Sequence, residues 1–210
     1  MKSESQYRHE MIEVCKRIYQ KGFVASNDGN VTLRMSEDEI LATPTGMCKG
    51  DITTDQLIKV NMQGEVISGF LKPSSELKLH LRVYEKRPDA GAVAHAHPPI
   101  STGFAVAHVS LEQKAIPEVI STLGGVPLAP YKRPSTDDLA RTIDKFIADS
   151  DAILLANHGV MSVGKDVFDA YYTLERVEHS AHIILVARML GGEKELSKDE
   201  VDSIYKIHRK

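Results

Sequence analysis

The sequence predicts a single α/β domain spanning residues 1–210, and three observations carry that reading. Segments with apolar residues at helical spacing alternate with short runs of strand character, and turn-forming residues separate them at short intervals. No internal repeat, low-complexity tract or linker interrupts the 210 residues. With 42% hydrophobic and 26% charged residues and a formal net charge of -3, the chain can fill one core.

From about residue 4 to 21, Met11, Ile12, Val14, Cys15 and Ile18 recur at helical spacing and Gly22 supplies a stop. Two strand-turn-strand units follow: "NVTLRM" with "EILATP", then "LIKVN" with "EVISG", so the N-terminal half reads as a meandering sheet. Ser74 to Arg87 places Leu77, Leu81 and Tyr84 on one helical face, with Ser74 or Ser75 as N-cap and Pro88 as terminator. The stretch "AGAVAHAH" is a strand, "ISTGFAVAH" a helix and "VPLAPY" a short strand. A capping signal at Ser135 opens a helix through "STDDLARTIDKFIAD". The run "AILLANHGVMSVG" reads as two strands about a turn at Asn157 to Gly159, before a long helix from about Asp166 to Leu190. The charged run "GGEKELSKDE" reads as a solvated tail.

No stretch of about 18 uncharged apolar residues offers a membrane span, and the N-terminus lacks the features of a secretory signal, so a cytoplasmic location is expected. Scattered lysines and mild acidity argue against a nucleic-acid surface and favour small-molecule partners or self-association. Cys15 and Cys48 lack CxxC spacing and read as free thiols.

The chemistry centres on "VAHAHPPI". In a strand His95 and His97 share one face, because successive side chains alternate. A third imidazole, His158, sits in the turn "ANHGV", and three imidazoles with an open position make a catalytic metal site. An amidohydrolase barrel needs a longer chain with repeating βα units. A cupin needs a carboxylate soon after the pair, where this chain has Pro98, Pro99, Ile100 and Ser101. Upstream, "KPSSE" opens a helix whose first amides attract anions, so Ser74 and Ser75 could cradle a phosphate. The turns "SNDGN" and "TPTG" are further candidates for an anion nest. Glu76, beside a metal, could act as a base that removes a proton next to a polarised carbonyl.

In order and spacing, "SNDGNVTLR", "TPTG", "KPSSELKLH", "VAHAHP" and "LLANHGV" resemble the class II aldolase and adducin head-domain family, its fuculose-phosphate aldolase branch in particular, over about residues 7–190. The resemblance implies a three-layer α/β/α fold around a mostly antiparallel sheet, and a homotetramer with sites at subunit interfaces. It implies Zn2+ held by His95, His97 and His158, Glu76 as the catalytic glutamate, and Asn30, Thr45, Gly46, Ser74 and Ser75 as phosphate-binding residues. The implied reaction is reversible cleavage of a ketose 1-phosphate, such as L-fuculose 1-phosphate or a 5-deoxypentulose 1-phosphate, to dihydroxyacetone phosphate and an aldehyde. One position departs from that branch: "IPEVIS" places Ser121 where its members carry a proton-donating tyrosine from a neighbouring subunit. Tyr131, Tyr171, Tyr172 and Tyr205 are the remaining tyrosine candidates. The same scaffold also serves pentulose-phosphate 4-epimerases, with "PSSD" in place of "PSSE", methylthioribulose-1-phosphate dehydratases, decarboxylases of sugar-acid phosphates, and adducin-like binding modules without chemistry.

Overall fold

The computed structural model describes residues 2–208; the ends of the expected 1–210 unit, residues 1, 209 and 210, lie outside them. Helix α1 (Glu4–Gln20) starts at Ser3, whose hydroxyl accepts from the Gln6 amide while the Gln6 side chain accepts from the Ser3 amide. It buries Met11, Ile12, Val14, Cys15 and Ile18, the residues its periodicity selects.

Four strands follow, β1 (Asn30–Arg34), β2 (Ile40–Ala42), β3 (Ile58–Val60) and β4 (Val66–Ser68), each pairing antiparallel with the next. The rest of the sheet is β5 (Ala92–Ala96), β6 (Leu128–Ala129), β7 (Ala152–Leu155) and β8 (Gly159–Gly164). The strand order is β4-β3-β2-β1-β5-β8-β7-β6, and every neighbouring pair is antiparallel except β6 with β7. This is the α/β class with the mostly antiparallel sheet that was expected.

Helices close both faces. On one side α1, α3 (Pro99–Val106) and α6 (Val167–Met189) share a core with Ala92, Ala94 and Ala96 of β5. On the other, α2 (Leu77–Lys86) packs with α5 (Asp137–Thr142), and its core takes in Val93, Ile153 and Met161. Strand alternation therefore sorts β5 into an alanine face against α6 and a second face, carrying Val93 and His95, toward α2. Both cysteines are free, Cys15 buried and Cys48 partly so. Among the described residues, no helix is long and apolar enough to cross a membrane.

Three local expectations need correction. Helix α2 begins at Leu77, not Ser74, because residues 74–77 form a turn closed by the Leu77 amide donating to Ser74 O at 3.1 Å. Neither serine is the N-cap; Glu76 occupies that position, and the Ser74 hydroxyl accepts from the Glu76 amide at 3.3 Å. The N-cap of α5 is Thr136, whose hydroxyl accepts from Leu139, while Ser135 adopts a left-handed φ of +66° and the helix stops at Thr142. Finally, the charged run 191–200 is mostly exposed, as expected, but the chain beyond it is helical where no element was foreseen: α7 (Lys198–His208) buries Val201 and packs on a short helix that also went unassigned, α4 (Pro117–Thr122).

Candidate metal centre and active site

His95 lies near the end of the central strand β5, facing Asn30 on β1 and Met161 on β8. The chain then leaves the sheet at His97, whose amide donates to Phe23 O at 2.9 Å. His158 arrives from the β7–β8 turn, which bends through Asn157 at a φ of +55°. That turn is tied to the end of α3: the Asn157 amide donates to Ala105 O at 3.2 Å, and His108 Nε2 donates to Asn157 Oδ1 at 2.6 Å. The next residue has to be glycine. A Cβ on Gly159 would stand 2.5 Å from Ala96 O and 2.6 Å from His97 Cδ2.

The three rings converge. Their centroids are 4.6–5.3 Å apart, and one nitrogen from each lies within 4.8 Å of the others. His95 Nδ1 is 2.9 Å from Val160 O; a carbonyl only accepts, so the proton sits on Nδ1 and Nε2 presents a lone pair to the cluster. His97 Nε2 is 3.2 Å from that lone pair, and His158 Nδ1 is buried without a hydrogen-bond partner.

Glu76 faces this group from the turn before α2. Its Oε1 is 3.0 Å from His158 Nε2, its Oε2 is 3.4 Å from His95 Nε2, and Asn30 Nδ2 donates to Oε2 at 2.9 Å. Burial alone would raise the Glu76 pKa, but the histidines and the Asn30 hydrogen bond outweigh it and hold the carboxylate below its usual range. Burial pushes His95 down to about 3, so its ring is neutral at neutral pH. His97 is lowered chiefly by burial as well. The lone pair of the His95 ring and the convergence of one nitrogen from each of the three histidines fit a divalent cation, and no fourth histidine, cysteine or carboxylate joins the set among the described residues. The donor set thus suits a metal ion with an exchangeable position.

Above the cluster lies a cleft of about 360 Å3. Asn30, Thr45, Gly46, Ser74, Ser75 and Glu76 line it, His97 and His158 reach it, and His95 is buried beneath, 1% exposed. The three histidines, Glu76 and the five residues expected to seat the phosphate therefore meet at one place, although the Asn30 amide is engaged by Glu76 and its Oδ1 is buried without a partner. Other contributors were not foreseen as individual site residues. Asp28 Oδ2 lies 3.6 Å from His97 Nδ1, and Pro134 and Ser135 form part of the wall. Asp28 was within reach, since it stands in the "SNDGN" turn; Ser135 carried only the signal of a helix cap. Ser121 sits on α4, donating to Glu118 O at 3.0 Å; neither it nor Tyr131, Tyr171, Tyr172 or Tyr205 lines the cleft of its own chain.

Residues 9–185 match the family model described as the class II aldolase and adducin N-terminal domain. The chain belongs to that family. It is an enzyme in the class of metal-dependent lyases that the family's members form. It is 35% identical to the 3-oxo-tetronate 4-phosphate decarboxylase of Escherichia coli O6:H1 over 189 residues, covering 88% of this chain and 89% of the relative. It is also 35% identical to the L-fuculose phosphate aldolase of Methanocaldococcus jannaschii over 179 residues, 85% of this chain and 96% of the relative. The solved structure of YgbL from Escherichia coli superposes with a TM-score of 0.90 at 32% identity, covering 97% of this chain and all of that one.

Proposed function

We propose that this enzyme decarboxylates a phosphorylated 3-oxo sugar acid, of the 3-oxo-tetronate 4-phosphate kind, to dihydroxyacetone phosphate and CO2. Overall identity to the decarboxylase and to the aldolase is the same, so the chemistry of the site has to separate them. A four-carbon 3-oxo acid bearing a 4-phosphate loses CO2 to leave the enediolate of dihydroxyacetone phosphate. A ketose 1-phosphate leaves the same enediolate when its aldehyde departs. The difference is on the departing fragment: an aldehyde forms only as a hydroxyl gives up its proton, whereas CO2 leaves without a proton transfer. The observation that carries the reading is Ser121 at the place where the fuculose-phosphate branch has its proton-transferring tyrosine. Serine is a poor group for that task, and decarboxylation does not need one.

Glu76 then serves as the proton carrier, taking one proton from water and placing it on the carbon that has lost CO2. Asn30 orients the carboxylate for this through its 2.9 Å hydrogen bond. Thr45, Gly46, Ser74 and Ser75 seat the phosphate, in agreement with their position along the cleft. His95, His97 and His158 would hold the metal, which we assign as zinc from the three-imidazole donor set; when bound it supplies a Lewis acid for the substrate carbonyl. We further assign a cytoplasmic homotetramer with its sites at subunit interfaces. An apolar stripe left exposed on α6 supports the self-association.

The deciding experiment offers the zinc-loaded enzyme 3-oxo-tetronate 4-phosphate and L-fuculose 1-phosphate, and follows CO2 and dihydroxyacetone phosphate separately. Equal amounts of both products from the oxo acid, with little turnover of the fuculose phosphate, is the expected result. Dihydroxyacetone phosphate from fuculose phosphate, with no CO2 from the oxo acid, would return the enzyme to the aldolases.

A further inference from the structure

Lys49 is 1% exposed, and its ammonium group donates to two backbone carbonyls, Met47 O at 2.7 Å and Asn27 O at 3.3 Å. These carbonyls belong to the two loops that supply Asn27 to Asn30 and Pro44 to Gly46 to the cleft. No carboxylate pairs with Lys49 among the described residues. Asp28 and the thiols of Cys15 and Cys48 act on it through the field alone. The Cys15 thiol, pushed up to about 12 by burial, is neutral and does not balance the charge. A buried ammonium with no carboxylate in direct contact costs more than two neutral carbonyls return, so fold stability alone does not account for a lysine here.

We propose that Lys49 is a positioning residue for the substrate phosphate: it ties the 27–30 loop to the 44–48 loop and holds a fixed positive charge behind the wall that the phosphate faces. The inference rests on the reading of this wall as the phosphate seat. Two features favour it. Gly46 turns through a left-handed φ of +73° with nothing within 4 Å of the place a Cβ would take, so neighbouring side chains do not hold the loop tip from that side; the Lys49 bond to Met47 O restrains it from behind. In addition, the Lys49 ammonium is bonded only to neutral carbonyls and has no ion-pair partner among the described residues, so its charge is open to an anion across the wall.

The test uses full-length protein stripped of metal, so that inorganic phosphate reports on the loops alone. Calorimetry gives its affinity, and amide shifts locate it at Thr45, Gly46, Ser74 and Ser75. In Lys49→Met, phosphate affinity should fall at least about tenfold and amide exchange in residues 25–29 and 44–48 should quicken, while Tm stays level or rises. A structural role alone would lower Tm instead. Lys49→Gln keeps N–H donors and loses the charge; its affinity should also fall, which keeps the test open if the methionine variant does not fold. Unchanged phosphate affinity in these variants overturns the role of Lys49 and leaves the phosphate seat standing. Wild-type protein that does not bind phosphate at these amides overturns both.

Discussion

Glu76 and His80 stand one helical turn apart, and their surroundings set opposite tasks. The Glu76 carboxylate reaches two imidazoles and an amide, so Glu76→Gln keeps the shape and the Asn30 contact but cannot carry a proton. Turnover should fall roughly 10²–10⁴-fold with bound zinc, measured by elemental analysis, unchanged. Retained turnover would remove Glu76 from the mechanism. His80 is fully buried; its Nδ1 bonds Thr32 Oγ1 at 2.8 Å and its Nε2 has no partner, and burial pushes its pKa down to about 4. As pH falls, the unfolded chain takes up this proton near the ordinary value of 6.5, before the folded chain does. Stability is therefore complete above about pH 6.5 and drains toward pH 4, by roughly 3 kcal/mol from this residue at about 1.4 kcal/mol per unit. His80→Gln should flatten the pH dependence of urea unfolding over that window by about this amount. A slope equal to wild type would mean that His80 is not held neutral.

At the scale of elements, the metal centre depends on how closely β8 approaches β5. Gly159→Ala would put a methyl group into Ala96 O and the His97 ring, neither of which can retreat without disturbing the sheet or the cluster. We expect this variant to lose about 1–3 kcal/mol of stability and to bind zinc more weakly, as read by thermal melts and chelator competition. A Tm and a zinc affinity both equal to wild type would show that the contact is slack. The same elements explain what the sequence could reveal. Strands β1 to β5 and β8 carry two-residue alternation or apolar runs between clear turns, and α1 and α6 are long enough for their period to stand out. The histidines were legible because HxH spacing on a strand fixes a common face. The N-cap of α2 was not legible, because "PSSE" offers three residues that could open a helix, and tertiary contacts with residue 44 choose the last. Helix α4 is six residues long and α7 is rich in charge, so only their packing on each other identifies them. Lys49 was invisible for a related reason: nothing local marks one lysine in a polar loop as buried.

For the whole molecule, the unfinished part of the surface lies along the second half of α6. Ile183, Val186 and Leu190 follow one another at helical spacing and are 40%, 43% and 82% exposed; Met189 beside them is 78% exposed, and Val106 of α3 is 55% exposed. Solvated helices present their polar side to water, so a stripe of this kind is the face the proposed assembly would cover. The polar cleft is a different surface, opening between loops, and in the proposed assembly a neighbouring chain would complete its wall. Two properties should then fall together. Val186→Glu with Leu190→Glu should shift the sedimentation mass from that of four chains toward one. Each chain should still bind zinc, since none of the three histidines is touched, yet turnover should drop because each cleft loses its neighbouring wall. A wild-type enzyme that sediments as a single chain would refute the assembly. Charged variants that become monomeric and keep full turnover would retain the assembly and place the whole active site within one chain.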